Sequence, residues 1–126
     1  MTTLATLARV YVDDLDVALP TFVALTGEQP RQRISYRDLE IAGIGGFLLI
    51  AGTEEALAPY RGTHATVVVS SLDEVAPGET LDGPNTVPTG RNMTVRHPGG
   101  ATIEYLEFAS AARPAEEPAS AERASL

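Results

Sequence analysis

Cysteine, lysine and tryptophan are absent from these 126 residues, and histidine occurs only twice. Each shortage closes a route. Without cysteine there is no disulfide framework, no thiol nucleophile and no thiolate metal site, so any metal would have to use histidine and carboxylate donors. Without lysine there is no Schiff-base chemistry. The glycine-rich stretch Gly43 to Gly46 has no downstream Lys-Ser/Thr and opens no helix, so it is not a phosphate loop. Two histidines leave no Ser, His and acid set at an interpretable spacing. No apolar run approaches the roughly 20 residues that cross a bilayer, and residues 1–6 carry neither a basic start nor a sustained apolar segment. The expectation is a cytoplasmic protein with no membrane partner.

Acid is what the chain has in excess. Seventeen Asp and Glu against nine arginines give a net charge of −8. The segment 109–126 holds two arginines and three glutamates, so nearly all of that charge sits in residues 1–108. An acidic surface repels phosphate backbones, which argues against nucleic acid as a partner. The length suits one compact unit, and 44% hydrophobic residues is ordinary for a globular chain.

Leu4 to Val12 reads as a strand ending at Asp13-Asp14, an acidic pair suited to cap a helix. Leu15, Ala18, Leu19, Phe22, Val23 and Leu25 follow at near-helical spacing, and Thr26-Gly27 supplies the stop. Pro20 lies deep for such a helix, which predicts a distorted first turn or a regular helix that begins near Pro20. Arg31 to Tyr36, Arg37 to Ala42 and Phe47 to Ala51 read as strands, with Gly43 to Gly46 as a break. Residues 52–62 have the makeup of a connector, with room for one helical turn at Glu54 to Leu57.

After the connector the pattern restarts. His64 to Val69 is a β-branched strand, and a helix at Leu72 to Ala76 is cut short by Pro77-Gly78. Gly83 to Pro88 is extended. Met93 to Arg96 and Ala101 to Phe108 form a hairpin around His97-Pro98-Gly99-Gly100. In its last strand Thr102, Glu104, Leu106 and Phe108 share one face, and Ile103, Tyr105 and Glu107 the other. Residues 109–126, rich in Ala, Ser, Glu and Pro, read as a disordered tail.

The two halves repeat. Arg9 to Asp16 lies over Thr66 to Asp73 at an offset of 57 residues, and Gly45-Gly46 over Gly99-Gly100 at an offset of 54. A β-α-β-β-β unit written twice, with a capping residue after each first strand and a Pro-Gly turn before a final strand carrying Glu104, resembles the vicinal oxygen chelate superfamily. That is the glyoxalase, bleomycin-resistance and extradiol-dioxygenase group. The resemblance covers about residues 4–108. It implies an α+β, glyoxalase-like fold in which two βαβββ modules, about 4–52 and 63–108 joined by 53–62, form curled mixed sheets around a cavity. It also implies a homodimer. In place of the family's common Asp-Pro-x-Gly turn this chain has His97-Pro98-Gly99-Gly100.

Metal-dependent members of the superfamily take ligands from the first and last strands of each module. In the second module the resemblance maps these positions to His64 and Glu104. In the first module they fall on Leu7 and Ile50, which cannot ligate a metal. Catalytic metal sites generally supply three protein ligands, so His64 and Glu104 alone are too few and no cofactor is expected; a divalent metal is the minority alternative. Arg9 and Tyr11 share a strand face with Leu7, where an arginine suits a carboxylate or phenolate of a ligand. The functional expectation is a small-molecule-binding protein whose organic ligand meets Leu7, Arg9, Tyr11, Ile50, His64 and Glu104. The alternative is a lyase, isomerase or dioxygenase-like enzyme, with His64 and Glu104 on a metal or Glu104 as general base. A purely structural, partner-binding domain with a filled core is the blander possibility.

Overall fold

The computed structural model describes residues 2–109. The expected tail therefore lies outside the described residues, except for Ala109. The chain divides into two compact units, Ala8–Gly62 and residues 2–7 with 63–109. Strand β1 (Thr3–Val12) contributes its residues 3–7 to one unit and 8–12 to the other.

In the unit Ala8–Gly62 the strand order is β2-β3-β4-β1, with β2 Arg33–Tyr36, β3 Leu39–Ile44 and β4 Phe47–Ala51. The β2/β3 and β3/β4 pairs are antiparallel, while β4 runs parallel to β1, with Tyr11 opposite Ile50. Helix α1 (Leu15–Thr26) starts at Leu15 because Asp14 is an effective cap: its Oδ1 accepts from the backbone N–H groups of Asp16 at 2.8 Å and Val17 at 3.2 Å. Pro20 thus sits inside the helix instead of delaying its start, with its ring on the exposed side. Gly27, at φ 72°, ends the helix by donating its N–H to Val23 O. The buried face of α1 brings Leu15, Leu19, Phe22 and Val23 onto Ala42, Ile44, Leu49 and Ala51, and Phe22 meets Phe47 edge-on at 5.1 Å.

Two sequence expectations are corrected in this unit. Arg37 does not begin a strand: it takes φ 57° in a two-residue turn with Asp38, and Tyr36 pairs with Leu39. Gly43 does not break a strand either, because it stays in β3 opposite Leu48, and the chain reverses only at Gly45-Gly46. The connector does form one helical turn, α2 (Glu54–Leu57), capped by the Thr53 hydroxyl and followed by a 3₁₀ turn, Ala58–Tyr60.

The second unit has the same plan. Its strand order is β1-β5-β8-β7-β6, with β5 Ala65–Val69, β6 Glu79–Val87, β7 Gly90–Arg96 and β8 Thr102–Phe108. Strand β5 is parallel to β8, while the β6/β7 and β7/β8 pairs are antiparallel. In place of a helix there is a single 3₁₀ turn, Leu72–Glu74, as the Pro77-Gly78 stop requires. It covers Val69, Val95 and Tyr105, with Val67, Met93 and Ile103 beside them. Strand β6 begins at Glu79, earlier than the extended segment expected from Gly83. Its register with β7 shifts between Asp82 and Asn85, around Gly83-Pro84, and it lies at the end of the strand order, where proline costs no ladder partner. No helix among the described residues is long and apolar enough to cross a membrane.

Candidate functional site

Alternation along β5 and β8 puts Val67, Val69, Ile103 and Tyr105 on the face covered by the 3₁₀ turn, so Thr66, Val68, Glu104, Leu106 and Phe108 take the opposite face. The parallel register sets Thr66 directly beside Glu104, and the antiparallel register sets Thr94 on its other side. Thr66 Oγ1 donates to Glu104 Oε1 at 2.7 Å, and Asn92 Nδ2 donates to Glu104 Oε2 at 2.8 Å. The chain of contacts continues onto β6, where Asn85 Nδ2 donates to Asn92 Oδ1 at 3.3 Å and to Asp82 Oδ1 at 3.0 Å.

A polar network thus crosses four strands, from Thr66 through Glu104, Asn92 and Asn85 to Asp82. Thr66 is fully buried, Asn92 is nearly so, and Glu104 is half-buried. Both carboxylate oxygens of Glu104 accept from neutral donors, which fixes the orientation of the carboxylate. Asn85 Oδ1 is the amide acceptor that the network leaves unused.

His64 and Glu104 fall in the same unit, but different partners hold them. His64 precedes β5 and is exposed; its backbone N–H donates to Thr102 O at 2.8 Å, and its Nδ1 accepts from Thr102 N at 3.1 Å. It lies beside Thr102, two residues from Glu104, an offset of about 6.6 Å along a strand. Its tautomer is therefore Nε2–H, and Nδ1 is spent on the backbone. No group of three or more His, Cys, Asp or Glu that could hold a metal occurs among the described residues. Leu7, of the same unit, is 1% exposed.

Arg9, Tyr11 and Ile50 fall in the other unit. Arg9 Nε donates to Tyr11 Oη at 2.8 Å, and Tyr11 in turn donates to Tyr60 O. The guanidinium groups of Arg9 and Arg61 each lie 5.5 Å from the Tyr11 ring centroid, a cation-π arrangement. Arg37 Nη1 donates to Tyr60 Oη at 2.9 Å, and Arg61 pairs with Glu54 at 2.7 Å. Ile50 is buried, flanked by Tyr11 on one side and Ile41 on the other.

Thr66, Asn92, Asn85 and Asp82 do not stand out in the sequence as site residues, nor do Tyr60 and Arg61. Their roles come from strand register and from the fold of the connector, which no local motif announces. A second polar pair lies on the covered face of the second unit. His97 Nε2 and Tyr105 Oη are 2.6 Å apart, and Pro77 O, 2.9 Å from His97 Nδ1, must accept, so neutral His97 is the Nδ1–H tautomer and its Nε2 accepts a hydrogen bond from the Tyr105 hydroxyl. Burial pushes the Tyr105 phenol above its ordinary value.

No protein-family model and no curated protein matches the sequence. Solved structures do match. An uncharacterized protein from Methanosarcina mazei is 44% identical, with a TM-score of 0.77, over 86% of this chain and 95% of that one. A methylmalonyl-CoA epimerase variant from Streptomyces coelicolor, in complex with 2-nitronate-propionyl-CoA, is 19% identical with a TM-score of 0.67, over 87% of this chain and 96% of that one. A hypothetical protein from Bacillus halodurans C-125 is 17% identical with the same TM-score, over 87% and 97%. The last two likenesses concern the fold, and they match the paired β-α-β-β-β plan described above. The chain has the α+β glyoxalase-like fold and belongs to the same family as the Methanosarcina mazei protein.

Proposed function

We propose that this chain is a small-molecule-binding member of the vicinal oxygen chelate superfamily, of the glyoxalase and bleomycin-resistance type, with Glu104 anchoring an organic ligand and no resident metal. The observation that carries the reading is the half-buried Glu104 carboxylate, oriented by Thr66 and Asn92 on a face that also bears Val68, Leu106 and Phe108. A few fixed polar groups among apolar ones are what an organic ligand needs. Asn85 and Asp82 extend the polar part toward β6, and a ligand bearing hydroxyl or amide N–H groups would find acceptors there. Leu7 lies in the same unit as Glu104, whereas Arg9, Tyr11 and Ile50, the other residues expected to bind, lie in the other unit. Solved neighbours of this fold bind acyl-CoA ligands, which supports small-molecule binding as the fold's use here.

The donor set supports the metal-free form. His64 Nδ1 is engaged by Thr102, Leu7 and Ile50 have no donor atom, and two protein ligands fall short of the usual three. The test is thermal unfolding of the full chain with methylmalonyl-CoA and with a panel of small organic acids and amides. A rise in melting temperature that survives EDTA and is lost in Glu104→Gln is expected. An equal rise in Glu104→Gln would move the site elsewhere, and a large fall in melting temperature on chelation alone would overturn the metal-free reading.

The likeness to methylmalonyl-CoA epimerases favours one alternative, a proton-transfer enzyme with Glu104 as general base. Incorporation of solvent deuterium into methylmalonyl-CoA, abolished by Glu104→Gln, would separate that activity from binding.

A further inference from the structure

Three tyrosines and three arginines of the unit Ala8–Gly62 form one connected group, to which three segments each supply a pair. Strand β1 brings Arg9 and Tyr11, the turn between β2 and β3 brings Tyr36 and Arg37, and the end of the connector brings Tyr60 and Arg61. Tyr60 joins them. Its carbonyl oxygen accepts from Tyr11 Oη, its hydroxyl oxygen accepts from Arg37 Nη1 at 2.9 Å, and Arg37 also lies 4.8 Å from the Tyr36 ring centroid. Arg9 and Arg61 each lie 5.5 Å from the Tyr11 ring centroid, so their guanidinium groups stand within twice that distance of each other.

Arg37 holds φ 57° and is the one non-glycine residue at positive φ among the described residues. Glycine or asparagine would make this turn with less strain, so what arginine adds is its side chain, carried to Tyr60. Elsewhere in the unit Arg31 stands against Glu28, and Arg33 against Asp16 and Glu40, where carboxylates offset the charge. The bonds from Arg9 and Arg37 to phenol oxygens act differently: they fix each guanidinium in place without offsetting its charge. Glu54 joins the group through Arg61, at 2.7 Å. Asp13, Asp38 and Glu55, its nearest other acids in sequence, are exposed, where water and salt screen them.

The group has two cationic stations, Arg9 with Arg61 about the Tyr11 ring, and Arg37 at the hydroxyl end of Tyr60. A carboxylate is filled by one bidentate arginine, whereas linked phosphoryl groups offer acceptor oxygens to several. We propose that this group binds a diphosphate, free or carried on a larger ligand. All of its residues belong to the unit Ala8–Gly62, whereas Glu104 belongs to the other.

Titration calorimetry of the full chain with inorganic pyrophosphate, at constant ionic strength, tests this. Binding is expected with a dissociation constant below about 1 mM, and sulfate, which fills one station, is expected to bind at least about tenfold more weakly. Arg61→Ala should weaken pyrophosphate binding about tenfold, and Arg61→Lys should recover part of the loss, since the charge returns without the planar fork. Residue 61 is exposed, so the circular dichroism spectrum of both variants should be unchanged. Arg37→Gly is expected to keep the fold, because glycine suits φ 57°, and to bring pyrophosphate affinity down toward that of sulfate. ADP is the second probe: tighter binding than pyrophosphate assigns the diphosphate to a larger ligand, and weaker binding assigns it to the free ion. No binding of either probe up to about 10 mM overturns the proposal. So does pyrophosphate binding that is indifferent to both Arg61→Ala and Arg37→Gly.

Discussion

Thr66 and Glu104 face each other across the parallel strands β5 and β8, and the threonine hydroxyl donates to Oε1 of the carboxylate at 2.7 Å. Thr66 is fully buried, so no water takes its place when the hydroxyl is removed. Thr66→Val keeps the shape and deletes the donor, and it is expected to cost about 1–3 kcal/mol of stability in urea unfolding. Glu104→Gln also perturbs the network, since an NH2 donor replaces one of the two oxygens that accept from Thr66 and Asn92. The double variant should then cost less than the sum of the two, by about 0.5 kcal/mol or more. Strict additivity would show that the pair does not interact in solution.

Tyr105 makes the fold sensitive to alkali. Burial raises its folded pKa above the unfolded value of about 10. A raised folded value means that its contribution is present in full below the unfolded pKa and is lost as pH rises through the folded one. Thermal unfolding should therefore show a fall in melting temperature above about pH 10, reduced in Tyr105→Phe. Tyr105→Phe should also be less stable than wild type at neutral pH, because His97 Nε2 loses its donor. An identical alkaline slope in the two proteins would assign the loss to other groups.

Asp14 sets the start of α1 by accepting from two backbone N–H groups. Asp14→Ala is expected to lower stability by about 1 kcal/mol, and Asp14→Ser to recover most of it. Equal losses in both would point to charge at the helix terminus in place of capping.

Leu15 is 2% exposed and opens the inner face of the same helix. Leu15→Ala should cost about 2–5 kcal/mol by chemical denaturation, whereas Val17→Ala, two residues on and exposed, should change stability by less than about 0.5 kcal/mol. Comparable losses would contradict the orientation of α1.

Gly90 opens β7 where a Cβ atom would lie 2.0 Å from Glu107 O, a backbone atom that cannot rotate away. Gly90→Ala is expected to destabilise by about 3 kcal/mol or more. A near-neutral result would mean that the β7/β8 ends separate easily.

Much of this architecture is legible in the sequence because its determinants are local. The Asp14 cap, the Thr26-Gly27 stop and the turn around Pro98-Gly99-Gly100 each act within a few residues, and the internal repeat then carries the plan of one half to the other. Arg37 misleads because an arginine seldom takes φ 57°, so nothing marks it as a turn residue. Strand β6 is understated because Pro77-Gly78 and Gly83-Pro84 act as breakers in most settings, and only a place at the end of the strand order excuses Pro84. The partners of Glu104 are hidden for a different reason. Whether residue 64 or residue 66 lies beside it depends on register between strands almost 40 residues apart, and strand alternation alone assigns both positions to one face. Threonine holds that position, and histidine is left two residues off.

Strand β6 also limits what this protein does in crowded solution. An outermost strand offers unpaired backbone groups to any other chain, and long regular ones are where sheets add strands from neighbouring molecules. Here Pro84 has no N–H to offer, and the register with β7 shifts between Thr80 and Asp82 and again between Asp82 and Asn85, across Gly83-Pro84. An incoming strand would lose pairing at its midpoint, so β6 is a poor template for fibrous growth.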